Sequence, residues 1–123
     1  MARYAAFGAG RMGRGIAIAF AYAGHAIALI DSRQREPAAA ARLRDEAFTE
    51  IRQSLESLAR FGAMDAGTID AIAARVQWVD AAGAPAALAA ADMVFEGVPE
   101  TLEALGLAGL DRAGLQQRLH DGE

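Results

Sequence analysis

Apolar residues open the chain as a continuous run, Tyr4-Ala5-Ala6-Phe7, and return as a second run, Ala26-Ile27-Ala28-Leu29-Ile30. Short unbroken apolar runs fit strands buried on both faces, as in a parallel sheet. Between them Ile16, Phe20 and Ala23 recur on one helical stripe expected to face that sheet, and Gly24 supplies the left-handed residue that ends the helix. Pro37 then opens a stretch without a breaker to Phe61, with Leu43, Ala47, Phe48, Ile51, Leu55 and Leu58 at helical spacing, and Gly62 stops it. At 1.5 Å per residue this helix is about 36 Å long, far more than a crossover between adjacent strands needs. It is a helical arm. A short helix, Thr68 to Ala74, with Asp65 or Thr68 as cap, precedes a third strand at Val76-Gln77-Trp78-Val79. Pro85 to Ala90 is an alanine-rich helix, and Asp92 to Val98 is a fourth strand closed by Pro99. From Thr101 onward leucines at helical spacing predict a weak helix, interrupted by Gly106, Gly109 and Gly114, and the tail from Gln116 is polar.

The first strand runs into Gly8-Ala9-Gly10-Arg11-Met12-Gly13, and the second ends in Asp31, 18 residues beyond Gly13. Strand, glycine turn, helix, strand and acid in this order are what a dinucleotide site requires. Gly8 permits the tight turn, Gly10 admits a pyrophosphate close to the backbone, and Gly13 lets the helix lie close on the sheet. The unpaired amides at the helix start, with Arg11 and Met12 beside them, hold a diphosphate without a cationic side chain. Asp31 is placed to accept hydrogen bonds from the adenosine ribose, and its charge repels a 2′-phosphate, so the cofactor expected is NAD rather than NADP. Arg33 and Arg35 follow closely enough to compensate in principle, though Arg33 is better placed to stack on adenine. The alternative is a glycine turn followed by an aspartate that merely caps a loop. The fold class is therefore α/β, a Rossmann-type parallel sheet of about four strands in the order 3-2-1-4, with the arm between strands 2 and 3. The fourth strand borders the switch point, so Glu96, Gly97, Val98, Pro99 and Glu100 are expected beside the pyrophosphate or nicotinamide ribose. Glu100 also suits the first turn of a following helix.

Composition narrows the chemistry. A chain of 123 residues with a formal charge of −4 has neither a basic patch nor a basic amphipathic helix, which argues against nucleic-acid and membrane partners. All 12 basic residues are arginine and cysteine is absent, so Schiff-base chemistry, a lysine phosphate loop, thiolate catalysis and cysteine metal sites are excluded. No metal site is expected. The absence of cysteine, of a leader and of a long apolar run leads to the expectation of a soluble, cytoplasmic protein. His25 falls in the turn entering strand 2, remote from the strand ends where a cofactor lies, and is expected to be a surface residue.

The sequence resembles the N-terminal NAD-binding domain of the L-3-hydroxyacyl-CoA dehydrogenases, particularly the bacterial 3-hydroxybutyryl-CoA dehydrogenases. The resemblance covers about residues 3 to 104 and is carried by Phe7 to Ala17, Leu29-Ile30-Asp31, the arm ending Leu58-Ala59-Arg60-Phe61-Gly62, and Ala91 to Glu100. It implies hydride transfer between NAD and a 3-hydroxyacyl-CoA or 3-ketoacyl-CoA, a histidine paired with glutamate as base, and an arm that contributes to CoA binding. Ser54 and Arg60 occupy arm positions where such contacts are expected; both residue types are also ordinary on a solvated helix face. The chain departs from the family at Leu105, where a lysine would follow Glu100 by five. The resemblance also implies that residues 1–123 form a partial dinucleotide-binding domain, the catalytic and dimerisation part lying after its last residue, through truncation, frameshift or a gene fragment.

Two functions stand from this reading. One is the cofactor half of such a dehydrogenase, lacking catalytic residues of its own. The other is a non-catalytic nucleotide-binding or assembly module, docking a separate catalytic half or a second copy through exposed sheet edge and face. Related carnitine or sugar-acid dehydrogenases share the same cofactor half.

Overall fold

The computed structural model describes residues 2–96. Four parallel strands, β1 (Tyr4–Phe7), β2 (Ile27–Ile30), β3 (Val76–Val79) and β4 (Met93–Glu96), form one sheet in the order β3-β2-β1-β4. This is the order expected when each crossover is right-handed. Phe7 pairs with Ile30 and with Glu96, and Ile30 pairs with Val79. All four strands thus end in one row, and the loops that follow them issue from a single edge.

Helices cover both faces. α1 (Arg11–Tyr22), α2 (Pro37–Arg60) and α3 (Ile69–Ala73) pack on one side, where Ala6, Ile27, Leu29 and Val76 meet Ala17, Ala21, Ile51, Leu55 and Ile72. On the other side α4 (Ala84–Ala90) lies over Ala5, Ile30, Ala28 and Val94. Alternate residues of the strands therefore feed opposite layers, which is why the two central strands, β1 and β2, read as unbroken apolar runs, while the edge strands β3 and β4 carry Gln77 and Glu96.

The face of α1 differs from the sequence expectation. The buried stripe is Gly13, Ala17 and Ala21, while Ile16 and Phe20 are only partly buried and Ala23 is exposed. A helix resting close on a sheet needs small residues along its line of contact, and the larger ones flank that line. The arm agrees with expectation: Pro37 is its first residue, its buried positions are Ala47, Ile51 and Leu55, and Gly62 follows it with φ +78°. There the amide of Ala63 donates to the carbonyl of Leu58 at 2.9 Å, closing the helix end.

Smaller differences concern boundaries. β2 begins at Ile27 rather than Ala26, and α4 at Ala84, one residue before Pro85. The helix expected over Thr68 to Ala74 is a 3-10 turn, Ala66–Thr68, running into α3, with the Asp65 carboxylate accepting from the Gly67 amide at 3.0 Å. Asp65 caps the 3-10 turn through its side chain, and Thr68 holds the N-cap position of α3 without a side-chain capping bond. The expected ends of the fourth strand, Gly97 and Val98, lie outside the described residues, as do Pro99, Glu100, Leu105 and the weak helix.

Candidate cofactor site

At the end of β1 the chain turns through Gly8, whose φ of +105° is open to glycine and strained for other residues. The Gly8 amide donates to the Ile30 carbonyl at 2.8 Å, tying the turn to the neighbouring strand end. A Cβ on Gly13 would stand 1.8 Å from the Gly8 carbonyl oxygen, so the helix approaches the turn more closely than any side chain allows. Gly10 is the N-cap of α1; no side chain caps it and the first turn holds no acid. Amide hydrogens and about half a positive charge at the helix start are thereby left to an anion. Arg11 and Met12, on that first turn, are exposed.

Asp31 directly follows β2 and is 2% exposed. Its amide donates to the Val79 carbonyl at 2.8 Å, fixing it between two strand ends. Its carboxylate accepts from the Arg33 amide at 3.2 Å through Oδ1, and from Arg35 Nε at 2.8 Å through Oδ2. A carboxylate offers about four acceptor sites, so two protein bonds leave capacity for a ribose hydroxyl. Between the loop after β2 and the loop after β3 lies a cavity of about 300 Å³, lined by Asp31, Arg33, Arg35, Arg44 and Asp80 among others. A helix start open to an anion, beside a buried acceptor carboxylate, suits the diphosphate and ribose of a dinucleotide.

A family profile described as "3-hydroxyacyl-CoA dehydrogenase, NAD binding domain" matches residues 3–104. The chain belongs to this family. Among solved structures, 3-hydroxybutyryl-CoA dehydrogenase of Escherichia coli K12 is 33% identical with a TM-score of 0.65, the match covering 83% of this chain and 20% of that one. The (S)-3-hydroxybutyryl-CoA dehydrogenase of Ralstonia eutropha is 25% identical with a TM-score of 0.64, over 82% of this chain and 32% of that one. This chain thus spans a fifth to a third of the length of these structures. No curated protein sequence matches it.

On this 3-hydroxyacyl-CoA dehydrogenase NAD-binding fold, Glu96 ends β4 opposite Phe7, beside the strand end from which the glycine turn departs. Gly97, Val98, Pro99 and Glu100 lie outside the described residues. Ser54 is half-buried on the arm, and Arg60 is exposed at its far end, donating to Ser57 Oγ at 3.0 Å. The Tyr22 hydroxyl, at the end of α1 away from the glycine turn, donates to the carbonyl of Ala63, three residues past Arg60. Among the described residues no hydrogen bond joins Ser54 or Arg60 to the glycine turn or to Asp31. His25 is exposed on the opposite edge of the sheet, its ring 5.3 Å from that of Tyr4. Among the described residues, no three His, Asp or Glu side chains are grouped to hold a metal, and no helix is long and apolar enough to cross a membrane.

One residue near the site carries no sequence signal. Arg14 donates from Nε to the Ala9 carbonyl at 2.9 Å and from Nη1 to Glu50 of the arm at 2.6 Å. The pair is 36 residues apart, and only the packing of α2 against α1 brings it together.

Proposed function

We propose that this chain is the cofactor half of an enzyme that passes hydride between NAD and a 3-hydroxyacyl-CoA or its 3-keto counterpart. The observation that carries this reading is the uncapped start of α1 set beside buried Asp31, the two strand ends joined by the Gly8 to Ile30 hydrogen bond. In this reading the diphosphate lies against the amides of Arg11, Met12 and Gly13, with Gly8 and Gly10 making room. The adenosine ribose donates to Asp31, and Arg33 covers the adenine face. Glu96, with Gly97, Val98, Pro99 and Glu100, borders the nicotinamide ribose. Ser54 and Arg60 of the arm are proposed contacts for the CoA portion of the substrate.

When bound, NAD supplies the hydride acceptor; the described residues bind and orient it. Oxidation of an alcohol also needs a base within hydrogen-bond reach of the hydroxyl. His25, the one histidine among the described residues, is separated from the cofactor edge by the length of a strand, about 13 Å for four residues. The base is therefore assigned outside residues 2–96. By the same reading the chain works in the cytoplasm, in a homo-oligomer or beside a catalytic half.

Calorimetric titration with NAD, run with an assay of acetoacetyl-CoA-dependent NADH oxidation, tests the reading. Saturable NAD binding without turnover is the expected pair of results. Absence of binding by a chain shown to be folded by circular dichroism overturns the cofactor assignment, and rapid turnover overturns the placement of the base.

A further inference from the structure

We propose that the adenosine end of this site also accepts a 2′-phosphate, so that the chain binds NADP as well as NAD; this rests on the placement of the adenosine ribose at Asp31. An acid at the end of the second strand ordinarily excludes a 2′-phosphate by repulsion, whereas a nearby arginine accommodates it. Here one position supplies both. Asp31 is already bonded to Arg35 Nε at 2.8 Å, and with its side chain 3% exposed and that of Arg35 32% exposed, the pair is shielded from water on the acid's side. The acid's charge is thus offset within hydrogen-bond distance, while the outer nitrogens of Arg35 retain donors for a second partner.

The surroundings extend the same balance. Along the row of strand ends the glycine turn follows β1, Asp31 follows β2, and Asp80 follows β3. A ribose held at Asp31 with its diphosphate toward the glycine turn has the cavity of about 300 Å³ on its other side. Three arginines, Arg33, Arg35 and Arg44, and two acids, Asp31 and Asp80, are among the residues lining that cavity. Asp80 accepts from Trp78 Nε1 at 2.8 Å, and Arg44 meets Asp45 at only 3.5 Å with both side chains at least half exposed, a pairing too weak to hold the guanidinium back. Pro37, the first residue of α2, also lines the cavity, and no acid occupies that helix's first turn. A phosphate monoester brings about −1.5 to −2 charge and three acceptor oxygens at neutral pH. Forked guanidinium donors beside a helix start match that chemistry. Glu36, the N-cap of α2, is exposed and is not one of the residues lining the cavity.

Calorimetric titration with NAD and NADP, with ADP and adenosine 2′,5′-bisphosphate as probes of the adenosine end alone, tests the inference. NADP is expected to bind within about tenfold of NAD. Arg35→Ala, checked for folding by circular dichroism, is expected to weaken NADP at least tenfold more than NAD, and Arg35→Lys to restore most of the difference. Arg33→Ala, at an exposed position, is expected to weaken adenosine 2′,5′-bisphosphate several-fold more than ADP and serves if Arg35→Ala does not fold. NAD binding with NADP more than tenfold weaker overturns the inference and leaves the cofactor reading standing. An unchanged NADP to NAD ratio in Arg35→Ala does the same, and no binding of either cofactor by folded chain overturns both.

Discussion

Arg14 and Glu50 meet at 2.6 Å across the contact between α1 and the arm, and the same guanidinium holds the carbonyl of Ala9 inside the glycine turn. The arginine side chain is 14% exposed and the glutamate 41%. Arg14→Met is expected to cost about 1–2 kcal/mol in urea denaturation, because it leaves the Ala9 carbonyl without its side-chain donor. Glu50→Gln should cost less, about 0.5 kcal/mol, since water screens the half-exposed carboxylate. Equal losses from the two variants would mean that the carbonyl bond contributes nothing.

Gly13 leaves no room for a side chain. Its substitution by alanine would drive a Cβ into the Gly8 carbonyl, 1.8 Å away, so that the helix must lift or the turn must move. Gly13→Ala is expected to lose about 3 kcal/mol of stability and to bind NAD poorly, as read by thermal melting and calorimetry.

Gly10 separates space from strain. Its φ of −80° and ψ of −167° are accessible to any residue, so Gly10→Val should fold normally. NAD binding should nevertheless be lost, because the side chain occupies the approach of the diphosphate. A folded Gly10→Val chain that binds NAD at wild-type strength refutes the placement of the diphosphate.

Asp31→Ala removes the ribose acceptor and releases Arg35. NAD affinity should fall by about 1–3 kcal/mol, the range for a hydrogen bond to a charged group left unmade. Calorimetry on the variant decides this, and unchanged affinity removes Asp31 from the site.

The arm is anchored by its buried stripe of Ala47, Ile51 and Leu55. Ile51 and Leu55 are fully buried, and Ile51→Ala should cost about 2–4 kcal/mol through lost burial and the cavity left behind. Chemical denaturation measures it, and a change below about 1 kcal/mol would mean that the arm docks without this residue.

Strands and arm were legible in the sequence because their signals are local. Tyr4–Phe7 is an apolar run between Arg3 and Gly8, Val76–Val79 is a β-branched and aromatic stretch broken only by Gln77 between Arg75 and Asp80, and Pro37 and Gly62 punctuate the arm at both ends. The face of α1 was misread because the largest apolar residues drew the stripe, while the sheet is met by Gly13, Ala17 and Ala21. Side-chain pairing was the least legible layer. Asp31 could be recognised as an acid at a strand end, but its engagement by Arg35 depends on the path of a non-helical loop. Arg14 and Glu50 depend on how two helices cross. Both are tertiary facts, and both bear on the site.

The parallel register divides the molecule's two rims into unequal halves. Phe7, Ile30, Val79 and Glu96 form the rim from which the site-bearing loops leave; Tyr4, Ile27, Val76 and Met93 form the other. On that second rim the turn of Gly24, His25 and Ala26 is exposed throughout, about 13 Å of strand away from the first. It is accordingly the place to graft a fluorophore, an epitope or a short peptide insertion, giving a handle on the domain that stays clear of the glycine turn and of Asp31.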